Sequence, residues 1–197
     1  NNDNIKSCSD DLKNGKNVIF PTETVFGLGA CALNADAVSQ IYKIKNRPTD
    51  NPLIVHIRDF TEAKMYLVLN SIEEAIAETI TKKFWPGPLT IVGKANSFIP
   101  DIVTANTGYV GMRSPSHPVA QKLLEFAMLP IAAPSANPSG RVSSTSKDHI
   151  VNYFQDHNIK MLVPDEPCRF GIESTVVKID NDNLTILRPG TITKEEL

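Results

Sequence analysis

Short apolar runs alternate along the chain with amphipathic stretches whose apolar residues return at helical spacing, the pattern of an α/β domain. The runs predict strands over residues 18–20, 53–57, 89–92, 110–113, 131–133, 161–163, 175–179 and 184–187. The amphipathic stretches predict helices over residues 5–14, 36–45, 61–67, 72–84, 118–126 and 146–154. Gly15 stops the first of these helices, and Ser71 with Glu74 forms a capping box at the start of the fourth. Asn181-Asp182-Asn183 reads as the turn of a hairpin between the last two strands. No internal repeat, low-complexity tract or break in composition divides the chain, so residues 1–197 are expected to form one domain.

Polar residues collect where strands are expected to end. The clusters are Pro21-Thr22-Glu23-Thr24, residues 45–51, Arg113-Ser114-Pro115, residues 134–141, Glu173-Ser174-Thr175 and Arg188-Pro189-Gly190. Ligands of open α/β sheets sit at such strand ends. The chain carries 14 prolines, which stiffen these loops and lower the ordering cost of binding. In the 45–56 segment, Pro48 and Pro52 brace Lys45 and Arg47 ahead of the apolar run Leu53-Ile54-Val55, which ends on His56. A solvated basic turn before a core strand and an anion-holding loop are both open readings of this segment.

Composition narrows the function classes. The chain is 41% hydrophobic and 21% charged, ordinary for a soluble globular protein. Its net charge of −2 argues against a protein built mainly to hold a phosphodiester backbone. Cys8, Cys31 and Cys168 are scattered, which fits a reduced compartment and favours neither a disulfide framework nor a zinc site. Asn1-Asn2-Asp3-Asn4 shows neither a basic n-region nor an apolar h-region, and no apolar run approaches a membrane span, so a cytoplasmic protein is expected.

Candidate chemistry rests on cations and small polar groups. No G-x-x-x-x-G-K-[ST] or G-x-G-x-x-G loop is present, and Phe26-Gly27-Leu28-Gly29 is a weak substitute. Phosphates would therefore need side chains, with Lys45, Arg47, Arg113, Arg141 and Arg188 as candidates. No nucleophile elbow surrounds Ser135, so a Ser-His-Asp hydrolase is disfavoured. His117 suits a helix start, and His149 and His157 suit a polar surface, whereas His56 is either a hydrogen-bonded core histidine or a site residue. The turn Phe84-Trp85-Pro86-Gly87-Pro88 is favoured as junction packing over a stacking platform. Glu23 and Glu173 could position Mg²⁺ or act as a base, or serve only loop hydrogen bonding.

Together these segments resemble the YrdC-like family of L-threonylcarbamoyladenylate synthases. The matching segments are residues 20–28, 45–56, 84–90, 110–115, 133–140, 171–177 and 187–190, and they follow family order from about residue 10 to 192. The resemblance implies a twisted open mixed sheet with flanking helices and a basic concave cavity. It also implies a nucleotidyltransferase that makes threonylcarbamoyl-AMP and pyrophosphate from L-threonine, bicarbonate and ATP, the first step toward N6-threonylcarbamoyladenosine in tRNA. Thr24, His56, Arg113, Ala133 and Ser174 would hold threonine. Lys45, Arg47, Asn51, Ser135, Asn137, Ser143 and Arg188 would hold ATP, with Lys45, Arg47 and Arg113 supplying the catalytic charges. Mg²⁺ is expected with the triphosphate, with no carboxylate assigned to it and no structural metal. The tRNA, or a complex that transfers the group onto it, is a further implied partner. Some family members continue through a linker into a second domain, and the end of this chain could be the start of such a linker.

Three rival readings stand beside this one: a module that binds double-stranded RNA or tRNA, a non-catalytic regulatory ligand-binding domain, and a domain related to the carbamoyl transferases of hydrogenase maturation. The latter proteins also carry acylphosphatase and Cys-rich zinc modules, which are absent from these 197 residues.

Overall fold

Strand side chains alternate between the two faces of one mixed sheet, and the two faces meet different neighbours. The computed structural model describes residues 2–139, 146–164 and 168–197. In chain order the elements are α1 (Asn2–Lys13), β1 (Val18–Pro21), β2 (Phe26–Cys31), α2 (Ala35–Lys45), β3 (Ile54–His56), α3 (Phe60–Ala63), β4 (Leu67–Val68), α4 (Ser71–Phe84) and β5 (Leu89–Ala95). They continue with α5 (Asp101–Thr104), β6 (Tyr109–Arg113), α6 (Pro118–Ala127), β7 (Ile131–Ala132), α7 (Lys147–Phe154), β8 (Lys160–Met161), β9 (Thr175–Asp180) and β10 (Asn183–Arg188). The strands run in the order β10-β9-β5-β6-β3-β7-β2-β1-β8, with β4 paired to β5. Parallel pairs (β3–β6, β5–β9, β1–β8) mix with antiparallel ones, and the sheet is open, as expected.

One face carries the larger core. Ile19, Leu28, Val55, Ile91, Met112 and Val177 pack there against Val38 and Ile41 of α2 and Ala77 and Ile80 of α4. On the other face, Val18, Phe20 and Ile131 lie under Ile5, Cys8 and Leu12 of α1 and Ala120, Leu123 and Leu124 of α6. Spacings of three and four residues put each helical set on a single stripe. Beyond that helix pair the same face, over β3, β6, β5 and β9, lines a cavity.

Several boundaries differ from the sequence reading for identifiable reasons. β2 was not expected, because Gly27 and Gly29 weaken a strand on propensity. Here the ring of Phe20 occupies the space their side chains would need: a Cβ on Gly29 would meet Phe20 Cε1 at 2.8 Å and Ile131 Cγ2 at 2.7 Å. The helix expected over 61–67 shortens to α3, capped by Asp59, and Leu67 instead enters the sheet opposite Ala95. The short helix α5 was not anticipated. The capping box of α4 is made by Asn70 and Glu73, one residue earlier than expected, with Asn70 accepting from Ile72 N and Glu73 N. The hairpin turn is Asn181-Asp182, with Asn181 at φ 54° and Asn183 already paired with Asp180. His117 caps α6 as expected, its Nδ1 accepting from Val119 N at 3.1 Å, and His149 and His157 are exposed. Trp85 packs at the edge of the main core and donates to Leu89 O, the junction role favoured for it.

Candidate active site

The cavity, about 580 Å³, is floored by alternate residues of four adjacent strands. Ile54 and His56 come from β3, Tyr109, Gly111 and Arg113 from β6, Thr90 and Val92 from β5, and Val176 and Lys178 from β9, with Ser174 just before it. Their neighbours Val55, Met112, Ile91 and Val177 point into the main core. The polar groups thus lie on a face of the strands as well as at their ends, a correction to the strand-end expectation. The same period of two is the signal that could have revealed Thr90, Tyr109 and Lys178, which the sequence reading did not single out.

At the deep end the backbone register sets His56 directly beside Arg113. Arg113 donates through Nε to Gly87 O (3.3 Å), through Nη1 to Thr24 Oγ1 (2.9 Å) and through Nη2 to Glu23 Oε1 (2.5 Å). Two guanidinium N–H groups find no acceptor among the described residues. Glu23 Oε2 accepts from Ser116 N at 3.0 Å, which fixes the acid in turn. Thr22 Oγ1 gives its proton to Val25 O at 2.6 Å, so the Thr24 hydroxyl is the donor in the 2.9 Å contact between them. Thr24 Oγ1 is then left as acceptor for Arg113. Across the cavity, Ser174 Oγ bonds Thr90 Oγ1 at 2.8 Å.

His56 is 4% exposed and stands edge-on to Phe20, with ring centroids 5.6 Å apart. Burial, aided by the adjacent Arg113 charge, pushes its imidazole down to about 3, so the ring is neutral near pH 7. Its Nδ1 is buried with no hydrogen-bond partner. That nitrogen faces away from solvent, toward the backbone of Ile54 and Ile131, so the site reading of His56 rests instead on its ring lining the cavity.

Toward the mouth, Arg47 braces its own loop by donating to Asn51 O (3.2 Å) and Pro52 O (3.0 Å). Arg188 donates to Glu173 and, at 2.9 Å, to Ser174 O, and Lys178 Nζ lies 4.4 Å from the Tyr109 ring centre. The close approach of Gly190 permits this corner: a Cβ there would fall 2.5 Å from Glu173 O. The described charged residues lining the cavity are Arg47, Arg113, Lys178 and Arg188, with Glu173 opposing them.

Of the residues named for threonine, all five (Thr24, His56, Arg113, Ala133, Ser174) line this cavity. Of those named for ATP, Arg47, Asn51, Ser135 and Arg188 line it, whereas Lys45 and Asn137 do not. Ser143 and Arg141 lie outside the described residues. Lys45 is the last residue of α2, 2% exposed, and its ammonium donates to the carbonyls of Ser135 (2.6 Å) and Asn137. Burial, with the Arg47 charge beside it, brings Lys45 down to about 8. The exposed-loop reading of Lys45 is therefore corrected: it sits behind the cavity wall and ties α2 to the Ser135 loop. Among the described residues no cluster of three His, Cys, Asp or Glu side chains could hold a metal.

A model of the Sua5/YciO/YrdC family, described as telomere recombination, matches residues 10–190. The chain is 42% identical over 193 residues to a threonylcarbamoyl-AMP synthase of Pyrococcus abyssi, covering 98% of this chain and 56% of that protein. A Bacillus subtilis protein of the same name is 44% identical over 199 residues, covering 100% of this chain and 56% of its own. The crystal structure of P. abyssi Sua5 complexed with L-threonine superposes with a TM-score of 0.91 at 41% identity, over 98% of this chain and 55% of that one. The chain thus spans about half the length of these relatives. An open mixed sheet, a polar cavity on one of its faces and a family match over most of the residues lead to one assignment: the chain belongs to the Sua5/YciO/YrdC family.

Proposed function

We propose that this chain is a nucleotidyltransferase that makes threonylcarbamoyl-AMP and pyrophosphate from L-threonine, bicarbonate and ATP. The observation that carries the reading is the two-part cavity. A buried guanidinium with unengaged N–H groups, beside the neutral His56, opens onto a mouth bearing Arg47, Lys178 and Arg188. The first part suits the carboxylate and hydroxyl of threonine, and the second suits a triphosphate.

In this reading Arg113 takes the threonine carboxylate, with Thr24, His56, Ser174 and the Ala133 backbone around the rest of the amino acid. Arg47, Asn51, Ser135 and Arg188 take ATP. Lys45 and Asn137 act by holding the Ser135 loop in place. The threonine amine, once deprotonated, forms an N–C bond to bicarbonate with loss of water. A carbamate oxygen then attacks the α-phosphorus, and the bond to the bridging oxygen breaks to release pyrophosphate. No covalent enzyme intermediate is required, so positioning and charge stabilisation supply the acceleration. Mg²⁺ would enter with the triphosphate, whose oxygens would hold it together with water. A tRNA-modifying transfer complex would consume the product, which goes with a cytoplasmic setting. Among the described residues no helix is long and apolar enough to cross a membrane.

Mass spectrometry of a reaction with ATP, L-threonine and bicarbonate tests the proposal. It should show threonylcarbamoyl-AMP that disappears when any one substrate is omitted. No product, together with RNA binding that falls steeply with salt and ignores ATP and threonine, would favour the nucleic-acid module instead.

A further inference from the structure

Glu23 does not line the cavity, yet it most constrains a residue that does. Both of its carboxylate oxygens are engaged, one by Arg113 Nη2 and the other by the Ser116 backbone N–H. Its own backbone carbonyl accepts from Phe170 N at 2.9 Å. With no free edge, the acid influences a ligand only through its charge and through the orientation of Arg113.

The consequence lies in how charge is divided along the cavity. At the deep end the cation of Arg113 is matched by the anion of Glu23, both side chains are 5% exposed, and the adjacent His56 is neutral. At the mouth Arg188 is paired with Glu173 and Lys178 with Asp180, at 3.2 Å, which leaves the charge of Arg47 uncompensated among the described residues. The deep end is therefore balanced before any ligand arrives, while the mouth has positive charge to spare.

We propose that Glu23 makes the deep end selective for zwitterions, so that a carboxylate is retained there only when its ligand brings its own cation, as the α-ammonium of an amino acid does. A bare monoanion would leave a net negative charge in a desolvated site, which is costly. A zwitterion leaves the site neutral, and the Arg113 fork still supplies directional hydrogen bonds. The mouth, by contrast, holds the uncompensated charge of Arg47 beside two half-exposed ion pairs that a polyanion can share. Glu23 is a positioning residue in this scheme, acting through Arg113 and through the local charge balance. The inference rests on the threonine reading of the site.

The test compares L-threonine with (R)-3-hydroxybutyrate, which keeps the carboxylate, hydroxyl and methyl group and lacks only the ammonium. In calorimetric titrations the parent protein should bind threonine about a hundredfold more tightly, or better. Glu23→Gln should narrow that ratio at least about tenfold, mainly by strengthening 3-hydroxybutyrate, because Arg113 then carries an unbalanced charge. A merely structural role would weaken both ligands alike and leave the ratio unchanged, and that result overturns the proposal. Gln presents either its amide N–H to Ser116 N–H or its amide to Arg113, so folding is checked by thermal melting. Should the variant not fold, Glu23→Asp, which keeps the charge, must retain the parental ratio. The parent measurement also decides by itself, since comparable affinities for the two ligands sink zwitterion selection. If L-threonine does not bind the parent at all, the functional reading falls and this proposal with it. If both ligands bind equally well, only the zwitterion selection falls.

Discussion

Arg113 and Glu23, 90 residues apart in sequence, meet at 2.5 Å with both side chains 5% exposed. The cation at the bottom of the cavity is thus held by an anion from a distant loop, and neither charge can be removed without stranding the other. Such a pair is weak evidence for stability as a whole, but breaking it is expensive.

Arg113→Ala should therefore cost about 3–5 kcal/mol of folding stability, read as a fall in the denaturant midpoint. Arg113→Lys keeps the charge and can still face Glu23, but it gives up the fork that also reaches Thr24 and the Gly87 carbonyl. It should weaken L-threonine binding by about tenfold or more while ATP affinity changes little. Unchanged threonine affinity in calorimetry would remove Arg113 from the carboxylate role.

Lys45 and Arg47 should separate under mutation although they sit two residues apart. Lys45→Ala removes a charged donor from the carbonyls of Ser135 and Asn137 in a buried place, although Asn137 N still donates to Ser135 O at 3.0 Å. It should lower stability by about 1–3 kcal/mol and weaken ATP binding indirectly. Arg47 is half-buried and lines the cavity, so Arg47→Ala should weaken ATP binding with a stability loss of only about 1 kcal/mol. Thermal melts beside ATP titrations decide this, and equal melting losses for the two variants would contradict the burial difference.

The same contrast shows what was legible in the sequence. The alternation of apolar runs and amphipathic stretches sufficed for the α/β class and for most elements, because that signal is local. The position of Lys45 was not legible. The pattern Lys45-x-Arg47-Pro48 looks like an exposed basic loop, and only the packing of α2 against the Ser135 segment buries the lysine. Strand β2 was hidden for a related reason: its glycines serve the ring of Phe20, a neighbour known only from the pairing of β1 with β2. Thr24, His56, Arg113 and Ser174 were named through the resemblance to the family, whereas Thr90 and Lys178 sit inside apolar runs and were not singled out. The acid partner of Arg113 could not be read at all, since Glu23 and Glu173 look alike in sequence and only the fold distinguishes them.

His56 gives a pH signature. Its folded-state value, about 3, lies below the unfolded value of 6.5, so the unfolded chain takes up this proton first as pH falls. The stability held by the neutral ring is intact above about pH 6.5 and is lost progressively below it, by roughly 1.4 kcal/mol per pH unit down to the folded value. His56→Gln should show a shallower fall between pH 6.5 and 4 than the parent in chemical denaturation. Parallel curves for the two proteins would mean that His56 is not buried as a neutral group.

Gly111 lies mid-strand on the cavity floor, and a Cβ there would stand 3.0 Å from Thr90 Cγ2 and 3.6 Å from Ile54 Cγ1. Gly111→Val should therefore fill the middle of the cavity and displace Thr90, and with it the Thr90–Ser174 contact. Binding of ATP or threonine should drop by about tenfold or more, with a stability change of roughly 1–3 kcal/mol from the crowding. Full binding in the variant would show that ligands do not cross this part of the floor.

Selectivity for threonine over serine and valine follows from which polar groups are already engaged. The Thr24 hydroxyl donates to Thr22 and accepts from Arg113, and the Ser174 hydroxyl is tied to Thr90. His56 lines the cavity as a neutral ring, which makes it the group best placed to read the substrate hydroxyl. Val25 and Val176 line the same cavity and can pack the methyl group. Valine would leave His56 unpaired, a loss that can reach on the order of 10⁴-fold in discrimination, whereas serine loses only one apolar group, worth about 10-fold to 200-fold. Pyrophosphate release with ATP and bicarbonate should therefore fall in the order threonine, serine, valine. His56→Ala should compress the gap between threonine and valine, because the group that valine leaves unpaired is then gone. It should leave the gap between threonine and serine nearly intact, since the valine walls remain. If valine turns over as well as serine in the parent protein, no contact in this cavity reads the hydroxyl, and His56 is not its partner.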